Sequence, residues 1–148
     1  MNKTIKIALI GTGGVGKTAF LKRLSGNTFD RCYNPTKGCD ISMIVRGDST
    51  YEFYDFSGIE MYSGVYSDPE FYGIFHYIFL MVDKNSRMSH KHGVEWLRRI
   101  NTNNTPTLKI RNKCEISGRF EFSNGDGYFN ISTKTGQGVE EVLKQIVI

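Results

Sequence analysis

Residues 11–18 read Gly-Thr-Gly-Gly-Val-Gly-Lys-Thr, which fits G-x-x-x-x-G-K-[ST]. Gly11, Gly13, Gly14 and Gly16 free the backbone, including that of Val15, to turn N–H groups toward phosphate oxygens. Lys17 adds a cation for the β and γ oxygens, and Thr18 adds a hydroxyl for Mg²⁺. Average residue usage gives an accidental match in roughly half a percent of chains this long, so the motif outweighs its reading as a structural turn. Three shorter runs follow. In Asp55-Phe56-Ser57-Gly58 an aspartate can approach a metal through water and a glycine amide can meet a γ-phosphate. In Asn112-Lys113-Cys114-Glu115 a carboxylate can accept from guanine N1–H and the 2-amino group, donors that adenine lacks. Ser132-Thr133-Lys134 can pack beneath the same base. Each run is weak alone; their order and shared context make them one constellation.

The elements around these runs give that context. Lys3–Ile10 is a buried strand ending at glycines, and Phe20, Leu21 and Leu24 follow at helical spacing with Gly26 as the stop. Ile41–Arg46 and Tyr51–Phe56 flank Gly47-Asp48-Ser49 as a hairpin. Ile78–Asp83, Thr107–Arg111 and Tyr128–Ile131 are further strands. One helix is expected from about Ser89 to Ile100, with Val94, Leu97 and Ile100 on its apolar face. Another is expected over Gly138–Ile148, with Val139, Val142, Leu143 and Ile146 inward. Alternating strands and helices with one hairpin predict an α/β domain, a mostly parallel sheet with one antiparallel strand. Ligands of such sheets sit beyond the carboxyl ends of the strands, where every motif above falls.

At 148 residues, with 39% hydrophobic and 23% charged, the chain fits one domain over residues 1–148. A net charge of +4, with basic residues dispersed, does not imply direct nucleic-acid binding. The basic run Lys84, Arg87, Lys91, Arg98 and Arg99 reads as a solvated helix face. Three cysteines, Cys32, Cys39 and Cys114, make no disulfide framework and have no zinc spacing, which favours a reducing compartment and a cytoplasmic or nuclear location. His90-Lys91-His92 has no third metal ligand in view and reads as a solvated loop. His76 reads as packed, and Trp96 and the aromatic run Phe71–Phe79 as core.

With these residues in this order, the chain resembles the small Ras-like GTPases over essentially its whole length, which implies a P-loop NTPase of the Ras-like GTPase type. Gly11–Thr18 is similar to the family P-loop, Asp55–Gly58 to D-T-A-G, Asn112–Glu115 to N-K-x-D and Ser132–Lys134 to S-A-K. Tyr33-Asn34-Pro35-Thr36 resembles the first switch, whose threonine ligates Mg²⁺ and meets the γ-phosphate, and Phe29 falls where the family sets an aromatic edge against guanine. The resemblance implies that Gly11, Gly13–Ala19, Tyr33, Thr36 and Gly58 bind the phosphates of GTP or GDP. Phe29, Asn112, Lys113, Glu115, Ser132, Thr133 and Lys134 would hold the base. Thr18 and Thr36 would ligate Mg²⁺, with Asp55 supporting it. Catalysis would rest on Lys17, Thr36, Gly58 and the residue after it.

That residue is Ile59, where the family has the glutamine that orients the attacking water; isoleucine has no donor or acceptor for that task. Glu115 stands for the base-reading aspartate, Arg111 for a common glycine, and the segment from Glu115 to Ile131 is short for a helix and loops. Pro69 would shorten the helix of the second switch. No cysteine lies near Ile148 and the chain starts Met-Asn, so no lipid anchor is expected. That feature is Ran-like, while Pro35-Thr36-x-Gly38 is Rab-like. The expectation is a monomeric molecular switch that binds GTP with Mg²⁺ and hydrolyses it slowly or with a partner's help. Effectors, exchange factors or GTPase-activating proteins would meet its two switch regions, and Tyr62, Tyr66 and Tyr72 lie where the family's second switch meets partners. The rival is a hydrolysis-deficient, GTP-bound decoy or scaffold. A P-loop kinase is disfavoured, because no acceptor site or lid-like arginine cluster accompanies the P-loop.

Overall fold

The computed structural model describes residues 2–26, 31–34, 39–56, 69–101, 104–113 and 127–146, with 31–34 and 39 described by their backbone alone. Strand β1 (Lys3–Ile10) leads through the glycine loop into α1 (Lys17–Ser25). After β2 (Arg31–Asn34) come β3 (Cys39–Arg46) and β4 (Ser49–Asp55), turned at Gly47-Asp48. A 3₁₀ helix (Pro69–Ile74) precedes β5 (Tyr77–Asp83), α2 (Arg87–Ile100), β6 (Thr107–Asn112), β7 (Tyr128–Asn130) and α3 (Val139–Leu143).

The sheet has 7 strands in the order β2-β3-β4-β1-β5-β6-β7. β1 lies between β4 and β5 and is parallel to both, and β5, β6 and β7 continue in parallel. β3 pairs antiparallel with β2 and β4, so it alone runs against the rest, as the hairpin required. The apolar runs of β1 and β5 follow from burial on both faces, which removes the need for alternation. Ile7, Leu9, Phe79 and Met81 join Phe20, Leu21 and Leu24 of α1 and Val139, Val142 and Leu143 of α3 in one core. Ala8, Ile10, Ile78, Leu80 and Val82 join Trp96 and Ile100 of α2 and Tyr72 and Phe75 of the 3₁₀ helix in the other. Phe75, Phe79 and Trp96 are therefore core with Phe71 and Tyr77 packed against it, and Tyr72, expected where partners meet the second switch, is buried there too.

Several expectations need correction. Arg31–Asn34 is an edge strand, hidden from the sequence because four polar or mixed residues carry no period. α2 begins at Arg87, with Ser86 Oγ accepting from Ser89 N at 3.1 Å as its cap. His90-Lys91-His92 accordingly lies in a helix and not in a loop. The buried face of α2 carries Ser89, Gly93, Trp96 and Ile100, whereas Val94 and Leu97 are only partly covered. The rotation has a steric cause: a Cβ at Gly93 would stand 2.8 Å from Leu80 Cδ1, so the small residue marks the line of closest approach to β5. α3 ends at Leu143 and Ile146 packs on the core from beyond it. His76 is exposed; its Nδ1 accepts from Lys6 N at 2.9 Å while its own N–H donates to Lys6 O at 2.8 Å.

Phe53 joins the layers on the α1 side. It is fully buried, with edge-on rings from Phe20 at 6.1 Å and Phe79 at 5.7 Å. Phe53→Ala removes this junction and leaves a cavity, and should lower the free energy of unfolding by about 3–5 kcal/mol. Urea denaturation checks the value, and a loss below about 1 kcal/mol would show that the neighbours collapse into the space.

Candidate functional site

The carboxyl ends of β1, β4, β5, β6 and β7 converge on the glycine loop. Pairing of Leu9 with Asp55 in the β1–β4 register sets Asp55 beside the loop that leaves β1. Lys17, 8% exposed, opens α1 and returns its side chain along that loop. Its Nζ donates to Gly11 O at 2.8 Å and to Phe56 O, and lies 3.4 Å from Asp55 Oδ1. Phe56 is held in turn by the rings of Phe71, Tyr72 and Phe75 at 5.8, 5.8 and 6.1 Å, so the backbone next to Asp55 rests on the aromatic core. The first turn of α1 has neither a side-chain cap nor an acidic residue. The positive end of the helix dipole and the exposed backbone at Gly13 and Gly14 therefore face the same side.

On the far side, fully buried Asn112 ends β6. Its Nδ2 donates to Val15 O at 2.9 Å and to Thr133 Oγ1 at 3.3 Å, and its Oδ1 accepts from Thr133 N at 3.1 Å. One carboxamide thus ties the glycine loop to the loop after β7. A trans peptide is planar with C=O and N–H opposed. Fixing Val15 O on Asn112 therefore turns the Gly16 N–H the other way, as fixing Gly11 O on Lys17 does for Thr12 N–H. Lys113, at φ +65°, directs its ammonium to Gly14 O at 3.0 Å and to Asp83 Oδ2 at 2.9 Å. Buried Ser132 accepts from Thr135 N at 3.1 Å and shapes the turn that carries Thr133 and Lys134.

The structure therefore brings together Gly11, Gly13, Gly14, Val15, Gly16, Lys17, Thr18, Ala19, Asp55, Asn112, Lys113, Ser132, Thr133 and Lys134. Tyr33 lies on β2 with its side chain undescribed. Phe29, Thr36, Gly58, Ile59, Glu115, Tyr62 and Tyr66 fall outside the described residues. Among those described, no three His, Cys, Asp or Glu side chains form a metal cluster, His90 and His92 included. The donors that remain, the Thr18 hydroxyl and the Asp55 carboxylate beside a phosphate-type loop, are hard oxygens. They fit an ion that completes its shell with water and phosphate, as Mg²⁺ does.

Two further residues hold the site together. Arg23 Nε donates to Thr133 O at 2.8 Å and its Nη2 donates to Lys134 O, bracing the loop after β7 from α1. Nothing in the sequence marks it, because an arginine on an exposed helix face reads as solvated. Asp83 ends a buried parallel strand on the ligand side of the sheet, and that position was an available signal. Arg111 is buried over the Tyr128 ring at 4.7 Å, with Nη1 donating to Asn130 Oδ1 at 2.9 Å, which is how β6 accommodates a large cation there.

Gly16 is the tightest point. At φ +102°, a Cβ on it would lie 2.2 Å from Asn112 Nδ2. Gly16→Ala should cost about 2–4 kcal/mol of stability through backbone strain and displacement of the carboxamide. Gly13 has nothing within 4 Å of its Cβ position, so Gly13→Ala should stay within about 0.5 kcal/mol of the parent. Paired denaturation curves check the contrast, and equal effects would refute the close approach.

Comparison with known proteins follows the same lines. The family model described as Ras of Complex, Roc, domain of DAPkinase matches residues 6–115. The intraflagellar transport protein 27 homolog of Trypanosoma brucei brucei (strain 927/4 GUTat10.1) is 28% identical over 166 aligned positions, covering 99% of this chain and 89% of that protein. Among solved structures, the G domain of the T. maritima FeoB iron transporter matches with a TM-score of 0.69 at 22% identity, covering 95% of each chain. A likeness at that identity speaks for the fold.

Proposed function

The chain belongs to the Ras of Complex, Roc, domain family and is a Ras-like small GTPase with the α/β P-loop fold, and on that premise we propose that it is a Mg²⁺-dependent GTP switch with slow or partner-dependent hydrolysis. The observation that carries the reading is the Asn112 carboxamide, which joins a phosphate-binding loop to the loop that ends β7. The two ends of one nucleotide need that spacing. Gly13 through Ala19 and Lys17 hold phosphate oxygens. Lys113, Ser132, Thr133, Lys134, Phe29 and Glu115 enclose the base. Thr18 and Thr36 would ligate Mg²⁺ with Asp55 supporting it, and the ion would supply charge that neutralises the phosphate oxygens.

Guanine selectivity follows from Glu115. ATP would leave that carboxylate facing a ring acceptor, a loss of roughly 1–3 kcal/mol or more. Lys17→Ala removes a buried charge facing phosphate, an interaction of roughly 1.5–3 kcal/mol. In competition binding GTP and GDP should displace a labelled guanine nucleotide and ATP should not, EDTA should release it, and Lys17→Ala should weaken it at least tenfold. Equal competition by ATP would remove the guanine assignment.

Hydrolysis is a separate question, because Ile59 cannot orient water. For Ras, which has the glutamine, intrinsic turnover is only about 3–5 × 10⁻⁴ s⁻¹. The rate here should be lower, and Ile59→Gln should raise it. Single-turnover hydrolysis of preloaded GTP decides: a parental rate at or above that of Ras would mean that another group positions the water. A GTP-locked scaffold is the second reading. Ile59 favours it, and it requires that the protein purify with GTP bound and show no turnover of it in the single-turnover assay.

A further inference from the structure

Resting on the guanine-nucleotide reading above, we infer that Asp83 is a positioning residue for nucleotide retention, acting through Lys113 on the glycine loop. Lys113 has a flexible four-carbon stem and a side chain 36% exposed, and nothing in its own geometry compels its ammonium to reach Gly14 O. Asp83 has the opposite character. Its carboxylate is 13% exposed and fixed from several sides: Oδ1 accepts from Asn85 N at 2.8 Å, leaving Oδ2 for Lys113 at 2.9 Å. The backbone beneath it is held as well. Asp83 N donates to Ser89 Oγ at 3.0 Å, and Asp83 O accepts from Ser86 N at 3.0 Å, so the first turn of α2 holds it in place. On the other side Asp83 pairs with Asn112 in the β5–β6 register, and Lys84 N donates to Asn112 O at 3.0 Å.

The order of dependence runs from the rigid to the mobile. The sheet and the cap of α2 fix Asp83, the carboxylate selects one position for the Lys113 ammonium, and the ammonium holds Gly14 O at 3.0 Å. Peptide planarity carries the constraint one atom pair further, since a fixed Gly14 carbonyl turns the Val15 N–H to the opposite side of the loop. Gly14 is exposed and at φ +82°, and neither it nor Gly13 before it has a side chain to hold that part of the loop. The acid at the end of β5 thus sets the direction of an amide that serves phosphate.

The test compares Asp83→Asn, Asp83→Glu, Lys113→Met and the double variant Asp83→Asn with Lys113→Met in the full chain, by dissociation of methylanthraniloyl-GDP chased with GDP. Asp83→Asn keeps the shape and removes the charge. It should speed dissociation about five- to tenfold, the size expected for one charge-assisted contact. Asp83→Glu should restore most of the retention, and the double variant should be no faster than Lys113→Met alone. A parental rate in Asp83→Asn, or effects of the two sites that multiply, would overturn the inference. Should the parent fail to retain labelled GDP, the nucleotide reading falls, and amide hydrogen exchange of the nucleotide-free protein decides for Asp83 separately. Asp83→Asn should then raise exchange at residues 12–16 at least threefold, only where Lys113 is present, with β1 and β5 unchanged as the folding control. Identical exchange in parent and variant would refute the inference.

Discussion

Asn112 has no exposed surface and a side chain with both donor and acceptor ends, and it lies where two loops from distant parts of the chain meet. A buried carboxamide is stabilising only when both ends are satisfied. Here the donor end takes Val15 O and the acceptor end takes Thr133 N, which forces the glycine loop and the loop after β7 into one relative position. Other features accommodate that bond. Gly16 has no side chain because a Cβ would occupy the place of Nδ2, Ser132 turns the chain so that Thr133 presents its N–H, and Arg23 holds the carbonyls of the same segment from outside.

The backbone around the site is oriented by its acceptors. Carbonyls of Gly11, Gly14 and Val15 are each held by a side chain, from Lys17, Lys113 and Asn112 respectively. In a planar peptide each such bond also sets the following N–H. Three side chains, one from the start of α1 and two from the end of β6, therefore aim amides of a glycine-rich segment. Two of the three, Asn112 and Lys113, shape the glycine loop from outside it.

Much of this was legible in the sequence, and the division is physical. The glycine loop and its lysine depend on spacing within eight residues, and the strands β1 and β5 on unbroken apolar runs, so both could be read locally. The reversal of β3 followed from Gly47-Asp48 between two β-rich runs. What stayed hidden depends on neighbours far away in the chain. The seam of α2 is made by Ser89 and Gly93, small residues that a hydrophobic pattern ignores, and this rotated the expected face away from Val94 and Leu97. Arg23 reads as solvated because its carbonyl partners lie 110 and 111 residues on. β2 borrows its strand character from pairing with β3 and has no apolar period of its own.

The strand order has a consequence for the time at which this site comes into being. β1 precedes the other six described strands in the sequence and is the central one, yet its two sheet neighbours, β4 and β5, follow much later, with Ile7 pairing Tyr77. Only the antiparallel pairs β2–β3 and β3–β4 close locally. Closing a loop costs entropy before the contact rewards it, and chains dominated by such distant pairings fold slowly. The glycine loop leaves the ribosome early but lacks this anchor until Asn112 arrives, 97 residues after Val15. A competent pocket is thus a late product of folding, and nucleotide capture reports that the whole sheet has closed.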